Sequence, residues 1–157
     1  MSTTKKAKSK RPRAPKAPLP DLEHLGAPPK DDPEAQARYF MGLLDTFAQR
    51  LRDSLRKSDA TVRLEVGTAA RLGGDEFVVL IDDFSQQPDL EVVANKILLL
   101  AAQPYHDGHH QMHVTASIGI AIYPQDAEDA AHLIKQADAA MYVAKQAGKN
   151  LFRFASA

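Results

Sequence analysis

The 157-residue sequence contains no cysteine and no tryptophan, and aromatic residues make up only 6% of it. The absence of cysteine excludes disulfide bonds and thiolate metal sites. The longest aliphatic run, residues 97–102, is far too short to span a bilayer. No hydrophobic segment of signal-peptide length follows the basic N-terminus. We therefore expect a cytoplasmic protein without a membrane span.

Charge is balanced over the whole chain but unevenly distributed along it. The first 20 residues contain seven basic residues, no acidic residue and four prolines. Their charge of +7 leaves a charge of −7 on residues 21–157. Such a segment buries too little apolar surface to fold. We predict a disordered basic, proline-rich tail and linker over residues 1–34 and a single domain over 35–157. Nucleic acid or an anionic surface is an alternative partner for the 1–20 tail, but a solubilising role is favoured.

Hydrophobic periodicity predicts alternating helices and strands. Apolar residues at steps of three and four, from Phe40 to Leu55, indicate a first helix that begins at Asp32-Pro33. Strict alternation from Met112 to Ile122 indicates a long strand. The fold class is therefore α/β (α+β) with a mixed sheet. The predicted elements are a helix over 33–57, strands over 61–66, 69–72 and 76–81, a helix over 85–104, a strand over 112–122, a helix over 127–147 and a strand over 151–154. In the last helix Ile134 is predicted to face inward, and Gly148 is predicted to end the helix with left-handed, positive-φ backbone.

The stretch RLGGDEFVVL places a glycine pair and two acids between two predicted strands. Gly73 and Gly74 are explained by a hairpin turn, because glycine adopts positive φ without steric cost. Asp75 and Glu76 leave two alternatives open. They are either solvated turn residues or a site for Mg²⁺ and the phosphates that it carries.

Three segments resemble the GGDEF family of diguanylate cyclases. They are RLGGDEFVVL, the later segment VTASIGIAIYP and the C-terminal segment LIKQADAAMYVAKQAGKNLFRF, and they occur in the family's order. The resemblance implies a mixed, mainly antiparallel sheet flanked by helices, related to the palm of nucleotidyl cyclases and to ferredoxin-like folds. It also implies the condensation of two GTP molecules to cyclic di-GMP with release of pyrophosphate.

The same resemblance implies roles for individual residues. The turn over the nucleotide is formed by Gly73 and Gly74, Asp75 binds Mg²⁺, and Glu76 lies beside it in the active hairpin. Lys145 and Lys149 match positions that contact GTP phosphates, although the family usually has arginine where Lys149 stands. Lysine keeps the charge but loses bidentate geometry. The alternative, that both lysines complement a helix C-terminus, carries equal weight.

Two departures from the family pattern lead to further expectations. Nothing between Met1 and Phe40 resembles the family's first strand, which brings a metal-binding aspartate and precedes the residues that recognise guanine. We therefore expect a partial GGDEF domain with impaired catalysis, or a catalytically inactive module for protein interaction or for binding GTP or cyclic di-GMP. Catalysis would in either case require a homodimer or pairing with another GGDEF domain, since each domain holds one GTP.

The second departure concerns the R-x-x-D motif that binds cyclic di-GMP in many family members. Arg56 and Asp59 fit this inhibitory motif, but thirteen residues separate Asp59 from the glycine pair, where the family usually has five. The additional residues include TVRLEV, for which the family plan has no place. We predict that residues 60–66 form an extra strand, joined by a hairpin at Gly67-Thr68 to the edge at residues 69–72. The inhibitory site would then be displaced. The alternative is that residues 60–66 fill the place of the missing first strand.

Overall fold

The computed structural model describes residues 31–56, 65–106 and 111–156. Within these ranges three helices and six strands follow one another along the chain. No helix in the described ranges is long and apolar enough to cross a membrane. The elements are α1 (Pro33–Arg56), β1 (Glu65–Gly73), β2 (Glu76–Asp83), α2 (Gln87–Ala102), β3 (Tyr105–His106), β4 (Gln111–Met112), β5 (Ser117–Ile120), α3 (Ala130–Gln146) and β6 (Leu151–Phe154).

Helix α1 begins where the sequence predicts. The Asp32 carboxylate accepts a hydrogen bond from the Ala35 amide at 2.9 Å, which satisfies one of the amides left over at the helix start. Proline at the first helical position lacks the amide that would otherwise remain unbonded. The predicted inward stripe is wrong at its start, because Phe40 is 60% exposed. The side chains that α1 buries are Tyr39, Leu43 and Leu51.

A small core forms where α1 meets the short β3–β4 ladder. Tyr39, Leu43 and Tyr105 are buried together. Burial raises the pKa of Tyr105, and the nearby positive charge of Arg50 opposes this shift. The Arg50 guanidinium lies 4.3 Å from the centroid of the Tyr105 ring, within the range of a cation–π contact. This core anchors α1 to the segment that follows α2; Phe47 and Met112 pack against it.

The strands form three separate two-stranded ladders. The β1–β2 and β3–β4 ladders are antiparallel, and the β5–β6 ladder is parallel. The mixed, mainly antiparallel α+β class predicted from the sequence is therefore confirmed. In the described ranges β2 pairs with β1 alone and β5 with β6 alone. The absence of the family's first strand stays a prediction, because residues 1–30 lie outside the described residues.

The predicted hairpin at Gly67-Thr68 is wrong. Strand β1 runs through these residues without reversing, and Val66 pairs with Ile81 while Thr68 pairs with Leu80. An irregular register between Val66 and Thr68 absorbs Gly67, as a β-bulge does. The Val66–Ile81 pairing continues the same ladder as the rest of β1, so residues 65–66 lengthen that strand. Residues 61–64 of the predicted strand lie outside the described residues.

The long strand predicted from Met112 to Ile122 is also shorter in the structure. It is divided into β4 and β5, and residues 113–116 between them are not in a strand. Alternation reports which side chains face inward, but a strand also requires a neighbour for its backbone hydrogen bonds. The only partner of β4 among the described strands is β3, which is two residues long.

Helix α3 packs directly on β5. A Cβ atom added to Gly119 would overlap the backbone of Ala137 and Met141, so glycine is required at this contact. Ala140 and Ala144 are buried, whereas Ile134, which the periodicity predicts to face inward, is 52% exposed. Small residues on both elements therefore allow the helix and the strand to approach closely.

Candidate functional site

The signature stretch forms the predicted β-hairpin. Gly73, the last residue of β1, pairs with Glu76, the first residue of β2, so the two-residue loop is Gly74–Asp75. Gly74 has a φ of 50°, a conformation that non-glycine residues seldom adopt. The hairpin geometry therefore explains one of the two glycines.

Gly73 is not required by the fold in the same way. Its φ lies outside the left-handed region, and a Cβ atom added to it would meet no atom of the described residues within 4 Å. A side chain at this position would project into open space beside the loop. Within the described residues, therefore, neither backbone conformation nor packing requires glycine at position 73.

The carboxylates of Asp75 and Glu76 are exposed on this turn. No ion pair among residues 31–56, 65–106 and 111–156 involves either of them. Two adjacent oxygen donors beside an open glycine backbone are chemically suited to a hard cation that arrives with phosphates.

The predicted Mg²⁺ fits this donor set in a limited way. Within the described ranges no group of three or more histidine or acidic side chains is arranged to hold a metal ion. Magnesium in proteins is commonly held by one or two carboxylates together with substrate phosphates and water. The turn is therefore chemically compatible with Mg²⁺ that arrives as a nucleotide complex, and Asp75 as its carboxylate ligand stays a prediction.

Sequence reasoning missed Arg71, which belongs to the same turn. Its guanidinium Nε and Nη2 both donate to the Gly74 carbonyl oxygen, at 2.9 and 2.6 Å. The Nη1 atom lies 3.9 Å from the Asp45 carboxylate of α1, and Nη2 donates to the Met41 sulfur at 3.3 Å. The available signal was the strand alternation, which puts Arg71 opposite Phe77 on the face toward α1. An arginine on the covered face of a strand needs acceptors.

The two lysines lie together at the other candidate position, the C-terminal end of α3. Lys145 is in the last helical turn, Lys149 follows the helix, and both side chains are exposed. Lys149 has a φ of 61°, and its amide donates to the Ala144 carbonyl at 3.2 Å. Gly148, with a φ of 116°, has the positive φ predicted for it. Within the described ranges no ion pair joins either lysine to Asp75 or Glu76.

Left-handed backbone at a lysine is unfavourable, because its Cβ crowds the backbone. Asn150 shares this conformation with a φ of 50°, so the chain turns sharply between α3 and β6 through three successive residues of positive φ. The turn allows β6 to begin at Leu151 and to pair in parallel with β5.

The displaced inhibitory motif is not described by the structure. Arg56 ends α1, and its side chain lies outside the described part, as does Asp59. The prediction that this site is displaced therefore stays a prediction.

An unrelated carboxylate shows how a helix start is stabilised in this fold. Asp129 caps α3 by accepting from the His132 amide at 2.8 Å. This backbone hydrogen bond, followed by the contact with the His132 ring, holds the pKa of Asp129 below its ordinary value. The cap lies on the exposed surface and belongs to the architecture of α3.

Comparison with known proteins places this geometry in a family. The model of the diguanylate cyclase GGDEF domain matches residues 42–151. The bifunctional diguanylate cyclase/cyclic di-GMP phosphodiesterase MucR of Pseudomonas aeruginosa is 42% identical over 113 residues, which are 71% of this chain and 15% of MucR. The diguanylate cyclase TpbB of the same species is 36% identical over 115 residues, 72% of this chain and 24% of TpbB. The chain thus spans only a small part of these curated relatives.

Solved structures give the same result. An EAL/GGDEF domain protein from M. capsulatus superposes with a TM-score of 0.64 at 34% identity, covering 87% of this chain and 94% of that one. The GGDEF domain of YfiN (TpbB) from Pseudomonas aeruginosa superposes with a TM-score of 0.60 at 36% identity, covering 71% of this chain and 65% of that one. The family match, residues 42–151, includes the hairpin and α3. The chain therefore belongs to the diguanylate cyclase GGDEF domain family.

Proposed function

We propose that the β1–β2 turn binds the phosphates of a GTP molecule with its Mg²⁺, as one half of a site that makes cyclic di-GMP. The observation that carries this proposal is the open glycine at position 73. Glycine there has no explanation in the described fold, whereas a phosphate resting against the turn backbone needs a surface without a side chain. The proposed GGDEF domain extends over residues 35–157. We also propose that the protein is cytoplasmic, as an enzyme that uses GTP would be.

Each residue of the proposed site has a separate task. Gly73 and Gly74 expose backbone amides toward the phosphates. Aligned N–H groups of this kind attract anions. Asp75, with Glu76 beside it, would hold Mg²⁺, which supplies neutralisation of phosphate charge when bound. Lys145 and Lys149 carry the positive charges proposed to contact the phosphates from the α3 end.

The reaction requires alignment and charge neutralisation more than covalent help. A ribose 3′-hydroxyl attacks the α-phosphorus of a second GTP and gives up its proton to water. A new P–O bond forms, and pyrophosphate leaves with the electrons of the broken bond between the α-phosphorus and the bridging oxygen. The two bonds of the cyclic product need two such attacks. One turn holds one GTP, so a second GGDEF domain, from another copy of this chain or another protein, must face it.

A second candidate function is a GGDEF module that binds nucleotide without turning it over. Two observations favour it. Within the described ranges no third acidic or histidine ligand accompanies Asp75 and Glu76. In addition, an Escherichia coli protein that is 41% identical to this chain over 83 residues is named cyclic di-GMP phosphodiesterase PdeR. That name assigns no cyclase activity to it.

One experiment separates the two functions. The purified chain is incubated with GTP and Mg²⁺, and the products are analysed by mass spectrometry, alongside Asp75→Ala and a control, Asp82→Ala, in which an exposed acid of β2 is removed. Cyclic di-GMP from the wild type and from the control, but not from Asp75→Ala, supports the cyclase. GTP binding without product supports the binding module, and wild type that neither binds nor converts GTP contradicts both.

A further inference from the structure

We propose that Arg71 is a positioning residue that holds the central peptide of the GGDEF turn in one orientation. The expected effect on nucleotide affinity rests on the proposed function of the turn. Its physical basis is the pair of hydrogen bonds from one guanidinium to the Gly74 carbonyl.

The atom that Arg71 holds belongs to the peptide between Gly74 and Asp75. In a trans peptide the carbonyl and the amide N–H point in opposite directions. When Arg71 holds the Gly74 oxygen toward itself, the Asp75 N–H is therefore directed to the other side of the loop. The contact thus determines the direction in which this amide is offered to a ligand.

Two-residue hairpin loops have an alternative that the contact excludes. Gly74 has positive φ and Asp75 does not, which is the sign pattern of a type II′ turn. Rotation of the central peptide would give a type I′ turn, which requires positive φ at both residues, and aspartate tolerates that conformation better than most residues do. Arg71 can make both hydrogen bonds only in the observed orientation. We infer that it suppresses the flip.

Helix α1 orients the guanidinium from behind. The Arg71 side chain is only 22% exposed, and its remaining contacts are Asp45 and Met41, both on α1. Asp45 is itself 61% exposed and stands 3.9 Å away, so the ion pair is a weak restraint. The bidentate contact with Gly74 carries the positioning effect, and Asp45 limits the directions from which Arg71 can make it.

The test measures the turn directly. Peptide flips that occur on the microsecond to millisecond timescale are detected by NMR relaxation dispersion. We expect dispersion at the Asp75 and Glu76 amides in Arg71→Ala and not in wild type. Arg52→Ala is the matched control, because Arg52 is an exposed arginine of α1 whose side chain contacts Gln49. If Arg71→Ala does not fold, the same dispersion measurement is made on Arg71→Lys. We expect dispersion there too, because lysine offers no second donor in fixed geometry.

Nucleotide affinity gives the second measurement. GTP with Mg²⁺ should bind about tenfold more weakly to Arg71→Ala than to wild type, with Arg71→Lys between them and Arg52→Ala unchanged; this factor corresponds to the loss of about one charge-assisted contact. Dispersion equal to that of wild type, or a mobile turn with unchanged affinity, overturns the proposal. Wild type that binds no GTP contradicts the proposed function, and the dispersion measurement then still decides whether Arg71 holds the peptide.

Discussion

The β1–β2 hairpin and the β5–α3–β6 unit use glycine for opposite reasons. In the β5–α3–β6 unit, the backbone of α3 occupies the space where a Gly119 side chain would be. In the hairpin, no atom of the described residues lies within 4 Å of a Cβ atom added to Gly73. One glycine is required by packing that the structure displays, and the other has no such requirement among the described residues. Both glycines lie in the matched family segment, residues 42–151, so the contrast separates a glycine required by packing from one for which we propose a ligand contact.

The largest effect should come from the packed glycine. Gly119→Ala places a methyl group against backbone that has no room to move, and we expect a loss of about 3 kcal/mol or more in the free energy of unfolding. Urea denaturation followed by circular dichroism measures it. Gly73→Ala is the matched control, and its stability should change by no more than about 0.5 kcal/mol. Comparable losses in the two variants would remove the distinction between the regions.

Asp75 should have the next largest effect, confined to binding. Asp75→Asn keeps the shape of the turn but removes a negative charge, so Mg²⁺-dependent affinity for GTP should fall by at least about tenfold, or about 1.4 kcal/mol. Titration calorimetry at several Mg²⁺ concentrations measures it. Asp82→Asn, at an exposed position of β2, should bind as wild type does. Equal Mg²⁺ dependence in Asp75→Asn and wild type would speak against a metal-binding turn.

Lys149 lies in the β5–α3–β6 unit, between α3 and β6, and combines a strained, left-handed backbone with a proposed contact to a GTP phosphate. Lys149→Gly removes the cost of the left-handed backbone at a φ of 61° and should stabilise the fold by about 0.5–1 kcal/mol. The same variant should bind GTP more weakly, whereas Lys149→Arg should retain affinity. A thermal melt and a GTP titration of each variant suffice. Unchanged GTP affinity in Lys149→Gly would contradict the proposed contact between Lys149 and the phosphates.

The smallest effect concerns the cap of α3. The folded-state pKa of Asp129 is lowered below the ordinary value of 3.8 by its hydrogen bonds with His132. A carboxylate with a lowered pKa contributes stability above its unfolded-state pKa and loses it as pH falls through the folded-state value. The melting temperature of Asp129→Asn should therefore lie slightly below that of wild type at pH 7, and the difference should shrink as pH falls below 3.8 and be lost below the folded-state pKa. A difference that is constant from pH 7 to pH 3 would contradict this origin.

Sequence patterns predicted what depends on local chemistry. The start of α1 at Asp32-Pro33, a hairpin at the glycine pair and the positive φ of Gly148 follow from capping and turn rules. The structure bears out all three, although the two-residue loop is Gly74–Asp75 and Gly73 is the last residue of β1. Each is determined by a few neighbouring residues, which is why a single sequence suffices for them.

Features that depend on distant partners were predicted less well. The alternation from Met112 to Ile122 gave no sign that the strand is interrupted, because strand length depends on the neighbours available for pairing. Gly67 suggested a turn but is absorbed as an irregularity within β1. Arg71 was overlooked because its partners, Gly74 and Asp45, come from a loop and from another helix. Strand pairing between distant segments leaves no pattern within one segment, whereas strand alternation was a signal for Arg71 that went unused.

The most direct test of the account is the affinity of Gly73→Ala for GTP in the presence of Mg²⁺, measured by titration calorimetry beside wild type. The added methyl group meets no protein atom within 4 Å, so the fold should keep its stability. The account predicts that GTP binds at least about tenfold more weakly, because the methyl group occupies the space taken by the phosphate. Equal affinity in a folded Gly73→Ala variant would contradict the claim that this turn is where the nucleotide binds.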